Sequence, residues 1–230
     1  MPSRQNAQVV STPHVATREL ILDQTERLIA AKGVNGFTLR DIVEPLGMQI
    51  TSVYKHYANR DDVLVALARR YITLLSGQFF YQARDLERPS ATLRTVVMEY
   101  AHFHLAHPAY VRLALTDFAT PDGGTEYIRL AAGGPFHSNL SSGPLLGMHQ
   151  RLQKLAAAGH RKGEFRLVTG LDLLRVIKGA LLVRLVFPDD LLVVEEKGGA
   201  AGELATWLWD VARGYVARRP RAAKGAFSLR

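Results

Sequence analysis

Gly47 separates two short apolar stripes, and neither stripe is long enough to stand as a helix by itself. On its N-terminal side, GFTLRDIVEPLG repeats Leu39, Ile42, Val43 and Leu46 at helical spacing. Thr38 suits the N-cap of that helix, Asp41 follows three residues later, and Phe37 and Ile42 occupy the two hydrophobic-staple positions. Pro45, late in the segment, removes one backbone donor and is expected to kink it. On the C-terminal side a second short helix is predicted from Ile50 to Tyr57. Segments of about seven to nine residues are marginal as isolated helices in water. They persist only by packing on each other and on a longer neighbour. That neighbour is predicted over Thr17–Lys32, where Leu20, Ile21, Leu28 and Ile29 recur and Gly33 supplies a stop. Two short helices at a glycine turn, braced by a third, form a helix-turn-helix.

The second short helix divides its residues by chemistry. On a helical wheel Val53 and Tyr57 share the inward side, while Thr51, Ser52, Tyr54 and Lys55 project from the other. A helix with such a polar face fits the major groove of DNA, about 12 Å wide, where base edges offer donors, acceptors and the thymine methyl. Lys55 suits a guanine edge or a phosphate. Thr51 and Ser52 suit a base or a phosphate oxygen, and the Tyr54 hydroxyl suits a phosphate. Asn59 is expected to cap a fourth helix, with Asp61 and Asp62 in its first turn and Arg60 as a phosphate-facing cation. The competing reading is a solvated helical hairpin.

The rest of the chain is also helical in pattern, so an all-α protein is expected. The fourth helix is predicted to run on through VLVALARRYITLLSGQFF. A fifth covers PSATLRTVVMEYAHFHLAH and a sixth PAYVRLALTDF, with Pro108 at a first-turn position. Residues 119–143, rich in Gly, Pro, Ser and Asn, read as a long connection with one helical turn near Tyr127–Ala132. Further helices are predicted at about 144–158, 170–187 and 200–217. The most apolar stretch, LLRVIKGALLVRLVF, is interrupted by Arg175, Lys178 and Arg184 and is too short for a bilayer.

Charge and cysteine content narrow the partners. The net charge is +8. Residues 1–80 contribute 9 − 7 = +2, residues 81–212 contribute 14 − 14 = 0, and residues 213–230 contribute 6 − 0 = +6. The excess therefore lies in the tail, not in the helix-turn-helix, and bulk charge is weak evidence for DNA binding. The tail reads as a basic arm attracted to phosphates or as a plain solvated terminus. The chain has no cysteine, which excludes disulfides and thiolate metal sites and fits a reducing cytoplasm. The polar N-terminus does not read as a secretory signal.

At this point the chain resembles the TetR family of bacterial transcriptional regulators. The resemblance rests on Gly36, Phe37, Thr38, Ile42, Gly47, Met48, Gln49, Val53, Tyr54, His56, Tyr57, Arg60 and Leu64, in register over about residues 17–66. It implies DNA contacts from Thr38, Arg40, Gln49, Ile50, Thr51, Ser52, Tyr54, Lys55, His56 and Arg60, with Arg40 and Arg60 as phosphate clamps. Three positions depart from the pattern: Gln49 stands where serine is usual and caps less well, Ile50 turns partly inward, and Pro45 interrupts the second helix. With the polar arm and basic tail read above, four parts are expected: a flexible arm (1–16), a helix-turn-helix domain (17–66), a helical domain (67–217) that the resemblance makes effector-binding and dimerising, and a basic tail (218–230). The resemblance also implies a homodimer on a palindromic operator, with repression relieved by a small ligand.

Within the larger domain, Tyr100, Phe103, His104, Leu113, Phe118, Met148 and Leu152 are candidate lining for a largely apolar effector; ordinary core is the alternative. Leu174, Ile177, Leu181 and Leu185 form one candidate dimer stripe, and Leu204, Trp207, Leu208, Val211 and Tyr215 another; an intramolecular core is again the alternative. A regulator controlled by a protein partner remains a second functional reading. A metal-dependent enzyme using Glu99, His102, His104 and His107 is a remote third. His102 and His104 lie about 200° apart on a regular helix and do not chelate one ion. No nucleophile elbow, phosphate-cradling glycine loop or dinucleotide fingerprint is present. No metal, cofactor or catalytic residue is therefore expected.

Overall fold

A computed structural model describes residues 13–79, 82–116, 127, 131, 143–186 and 200–218. Every regular element among them is helical. Compact grouping divides the chain into two units, one of residues 1–70 with 107–131 and one of residues 71–106 with 132–230.

The first unit begins with α1 (Pro13–Lys32). The helix starts four residues ahead of the expected Thr17, so residues 13–16 of the expected arm are helical; a proline fits a helix's first turn, where its missing N–H is no loss. Ile21, Leu22, Leu28 and Ile29 are buried on its inner side, and Thr25 satisfies its hydroxyl on the Ile21 carbonyl at 2.7 Å. Leu20, expected on that face, is 49% exposed; Leu22 takes the inward place. Next come α2 (Leu39–Val43) and a single 3-10 turn, Glu44–Leu46, which absorbs Pro45. The proline thus ends α2 instead of kinking it. Gly47 adopts a left-handed backbone (φ 63°), and its N–H bonds the Glu44 carbonyl at 3.1 Å while Met48 N–H reaches back to Val43. A side chain at that φ is strained, which is why the tight turn falls here.

The helix α3 (Ile50–Tyr54) is shorter than predicted, its end passing into a turn at Lys55 and His56. The helix α4 (Arg60–Leu74) starts in the first unit and finishes in the second, continuing as one π turn, Leu75–Phe79. The first core gathers Phe37, Ile42, Val53, Tyr57, Val63, Leu64 and Leu67.

The helices α5 (Pro89–Ala106) and α6 (Pro108–Thr116) follow the predicted segments. Yet α6 groups with the first unit, not with the large domain expected over 67–217. The cause is ionic. Glu26 of α1 accepts from Arg70 at 2.7 Å and from the Tyr110 hydroxyl at 3.2 Å, and its other oxygen meets His107 Nδ1 at 2.6 Å. Arg112 adds bonds to the carbonyls of Ile29 and Ala30. Tyr110 is held in this cluster with its hydroxyl pushed up to about 12 by burial, against the pull of Arg70.

The second unit contains α5, α7 (Gly143–Arg161), α8 (Gly170–Val186) and α9 (Ala200–Val216). There α9 packs on α5 and α8, and α7 on α5 and α8. Gly170 lets α8 begin directly against α7: a Cβ there would lie 2.3 Å from the Gln153 amide nitrogen. Arg166, in the α7–α8 connection, donates its backbone N–H to Val216 and its side chain to Tyr215, closing the open carbonyl end of α9. No helix among the described residues is long and apolar enough to cross a membrane. The predicted connection 119–143 lies outside the described residues except for Tyr127 and Ala131, both helical, and Gly143, where α7 begins. Residues 1–12 of the arm and 219–230 of the tail also lie outside them.

Candidate nucleic-acid interface

Local chemistry specifies the start of α2. Asp41 N–H bonds the Thr38 hydroxyl, and the Asp41 carboxylate accepts from Thr38 N–H at 2.7 Å, a complete capping box. The Thr38 hydroxyl and amide, with Lys32 Nζ at 3.2 Å, hold the Asp41 carboxyl down at about 2. At the start of α4, Asn59 Oδ1 accepts from Asp62 N–H at 2.9 Å and Asp62 reaches back to Ala58 N–H at 3.1 Å. The helix between them is different: Gln49 occupies the N-cap of α3 in an extended conformation, and its side chain makes no capping bond.

Packing then orients α3. Val53 is fully buried and Tyr57 is 4% exposed, with Arg18 of α1 over the Tyr57 ring at 5.1 Å. Thr51, Tyr54 and Lys55 consequently face solvent, and Tyr54 is 53% exposed despite its large ring. Ile50, Ser52 and His56 are half-buried on the flanks. Gln49 and Arg40 are exposed. Thr38 is also exposed, with its hydroxyl engaged in the capping box.

Arg60 packs more closely than its expected role as a phosphate clamp requires. Its guanidinium donates to the Val34 carbonyl and lies 4.5 Å from the centre of the Phe37 ring. A side chain held against the α1–α2 connection ties the unit together, so at least one of its donors is not available to a phosphate. The reading also missed Arg70, which pairs with Glu19 at 3.2 Å, Asp23 at 2.6 Å and Glu26 at 2.7 Å. The signal was present, since those three acids share one face of α1.

The residues expected to line an effector site do not all fall together. Tyr100, Phe103, His104, Met148 and Leu152 are buried in the second unit, whereas Leu113 is buried in the first; Phe118 lies outside the described residues. A neutral polar network runs through the second-unit set. His104 Nδ1 is 2.8 Å from the Tyr100 carbonyl, which only accepts, so Nδ1 carries the proton. The other nitrogen, Nε2, is then the acceptor of the Tyr71 hydroxyl at 2.6 Å. Tyr71 and Phe103 stack with ring centroids 5.9 Å apart, and Tyr100 lies against the imidazole at 4.2 Å. Burial pushes the Tyr100 hydroxyl above its ordinary range, with a hydrogen bond shared with Tyr71 partly opposing it.

Two histidines of the expected metal reading are engaged elsewhere. His104 is engaged with Tyr71 and Tyr100, while His107 meets Glu26 in the other unit. No group of three or more potential ligands gathers among the described residues.

The dimer stripes divide. Ile177, Leu181, Leu204 and Leu208 are buried within the chain, which corrects their assignment to a partner: they join α8 and α9 to the intramolecular core. Leu174, Leu185, Trp207, Val211 and Tyr215 are half-buried. Arg184 covers one face of Trp207 at 5.0 Å and Arg166 one face of Tyr215 at 4.3 Å. Val183, not singled out from sequence, is 60% exposed on α8.

Residues 21–67 match the model of bacterial regulatory proteins of the tetR family. No curated protein sequence matches the chain. Among solved structures, the fold is shared with a bacterial regulatory protein in the tetR family from Rhodococcus RHA1. That match has a TM-score of 0.67 and 16% identity over 91% of this chain and 100% of that one. A transcriptional regulator of the TetR/AcrR family from Thermobifida fusca gives 0.60 and 17% over 88% and 100%. The transcriptional regulator FadR from Bacillus subtilis, in complex with stearoyl-CoA, gives 0.58 and 14% over 86% and 98%. The capped helix-turn-helix with its outward polar face and the family match over that segment lead to one conclusion: within a chain whose described elements are all helical, residues 21–67 form a helix-turn-helix segment like that of bacterial regulatory proteins of the tetR family, and the fold is the one seen in solved regulators of that family.

Proposed function

We propose that the chain is a ligand-responsive repressor that binds a palindromic operator as a homodimer and is released by a small, largely apolar effector. The observation that carries the reading is α3. Thr51, Tyr54 and Lys55 are exposed opposite the buried Val53 and Tyr57, a packing that leaves the hydrogen-bonding side outward. A helix in the major groove needs that arrangement. Ile50, Ser52, His56 and Arg40 extend the surface, with Ile50 suited to a thymine methyl and Arg40 to a phosphate.

The second copy would come through α8 and α9. After the buried residues are removed, Leu174, Leu185, Trp207, Val211 and Tyr215 remain partly exposed. Two packed helices from each copy make a four-helix interface. For the effector, Tyr100, Phe103, His104, Met148 and Leu152 offer aromatic and aliphatic surface with one polar network. The stearoyl-CoA bound by FadR of Bacillus subtilis supports a long apolar ligand as the first to try. Effector binding beside Tyr71 would shift α4, alter the separation of the two recognition helices and weaken the operator complex.

The test is selection of bound duplexes from a random pool, with sedimentation of the protein–DNA complex and repetition in the presence of acyl-CoAs. The expected result is a palindrome with half-sites about one helical turn, roughly 34–36 Å, apart, two chains per duplex, and loss of the complex on adding ligand. A single asymmetric site bound by one chain would overturn it.

A further inference from the structure

Gln49 breaks a local rule that its neighbours obey. In this unit α2 carries a complete capping box and α4 is capped reciprocally by Asn59 and Asp62. The helix between them, α3, has only five residues and would gain most from a cap. Its N-cap backbone is correctly placed: Gln49 is extended (φ −83°, ψ 151°) and its carbonyl accepts from Ser52 N–H at 2.9 Å. Yet the side chain is a long amide that makes no capping bond and is exposed to solvent. Serine, threonine, asparagine or aspartate there would satisfy an open N–H; Gln forgoes it. Local rules are broken chiefly where a side chain has another task.

The chemistry of the amide defines that task. Its carbonyl accepts and its NH₂ donates, side by side. This is the complement of adenine in the major groove, where N6–H₂ donates and N7 accepts. Guanine offers two acceptors at the corresponding positions and cytosine a lone donor, so neither takes both contacts. Thr51 and Ile50 follow directly, and their methyl groups suit thymine. We infer that Gln49 is a specificity-determining residue, reading one adenine in each half-site through a bidentate amide contact. The inference rests on the groove assignment of α3.

The experiment is the same selection from random duplexes with the full-length wild-type chain, Gln49→Ala and Gln49→Ser, followed by titration of each protein against the selected site and against sites with the adenine changed. The serine variant restores a capping residue, so any loss it shows does not come from weakening α3; thermal melts of the free proteins check this. The expected result is an invariant adenine in each wild-type half-site. Both variants should tolerate every base there, and wild type should discriminate on the order of tenfold per half-site. The inference is overturned if the variants keep the adenine, if no half-site position is invariant for adenine in the wild type, or if both variants lose affinity equally on all sequences, as a phosphate contact would. Failure of the wild type to enrich any sequence would overturn the groove assignment itself, a separate outcome from an enriched site indifferent to residue 49.

Discussion

Arg70 and Tyr71 are consecutive residues of α4, yet they belong to different units and to opposite kinds of chemistry. Arg70 meets three carboxylates of α1 and the Tyr110 hydroxyl, at the rim of the first unit. Tyr71 meets one imidazole inside the second, among aromatic rings and without a formal charge. The contrast extends through both units. In the first, the charged side chains meet in ionic clusters and the polar side of α3 is turned to solvent. In the second, the Tyr71–His104–Tyr100 network is turned inward. The DNA-reading role proposed for α3 needs groups still open to a new hydrogen bond. The effector site proposed for the second unit needs its few polar groups already satisfied, since an unmet buried group costs about 1–3 kcal/mol.

The largest effect falls on the outward face. Lys55→Ala and Tyr54→Ala should each abolish specific operator binding while leaving the fold and dimer intact. Each lost contact is worth about 1–3 kcal/mol and occurs twice in a palindrome, so a loss on the order of 10² to 10⁴ is expected. Gel-shift titration with sedimentation of the free proteins reads both properties. Unchanged affinity in both variants would remove α3 from the groove.

Next comes the ionic cluster. Arg70→Met should lower stability by on the order of 2 kcal/mol, because Glu19, Asp23 and Glu26 are left together without their cation and Glu26 is only 18% exposed. The figure is reduced for the solvent that reaches Glu19 and Asp23, each about half exposed. Urea unfolding measures it. A loss no larger than a surface substitution gives would mean that the cluster is not what groups α6 with α1.

Sequence reading succeeded where the determinants are close together in the chain. The capping box of Thr38 and Asp41, the Gly47 turn and the inward Val53–Tyr57 pair are each specified within about five residues, and each is present. It failed where distant segments compete for the same side chain. Arg60 carries the right residue type for a phosphate clamp, but one of its donors goes to the Val34 carbonyl, 26 positions earlier, which its local sequence does not announce. The apolar stripes of α8 and α9 were legible as stripes; which residues face their own chain and which are left for another depends on how α5 and α7 pack on them. Tyr71 was invisible for the same reason: its partner lies 33 positions away.

A smaller effect tests the inward network. Tyr71→Phe keeps the ring and its stack on Phe103 but leaves His104 Nε2 without its hydroxyl donor. Stability should fall by about 1–2 kcal/mol, or roughly 2–8 °C in thermal midpoint, with operator affinity in the absence of effector little changed. If affinity falls as steeply as in Lys55→Ala, the division between outward and inward polar groups is wrong for this residue.

The smallest effect separates the two units by pH. Asp41 titrates at about 2 in the folded chain, below its ordinary 3.8, because the Thr38 hydroxyl and amide and Lys32 bind the carboxylate form. A depressed folded value means that the unfolded chain takes up the proton first as pH falls. The contribution is therefore complete above about pH 4, declines between 3.8 and 2, and is gone below. Asp41→Asn removes that titration. The gap in thermal midpoint between wild type and Asp41→Asn should be constant from pH 7 to 5 and should narrow as pH is lowered through this window. Tyr71, whose network includes no carboxylate among its described partners, gives no such narrowing from Asp or Glu titration. A gap for Asp41→Asn that stays level down to pH 2 would show that the carboxylate is not held by the capping box, and that α2 owes its start to packing on α1 rather than to its own four-residue sequence.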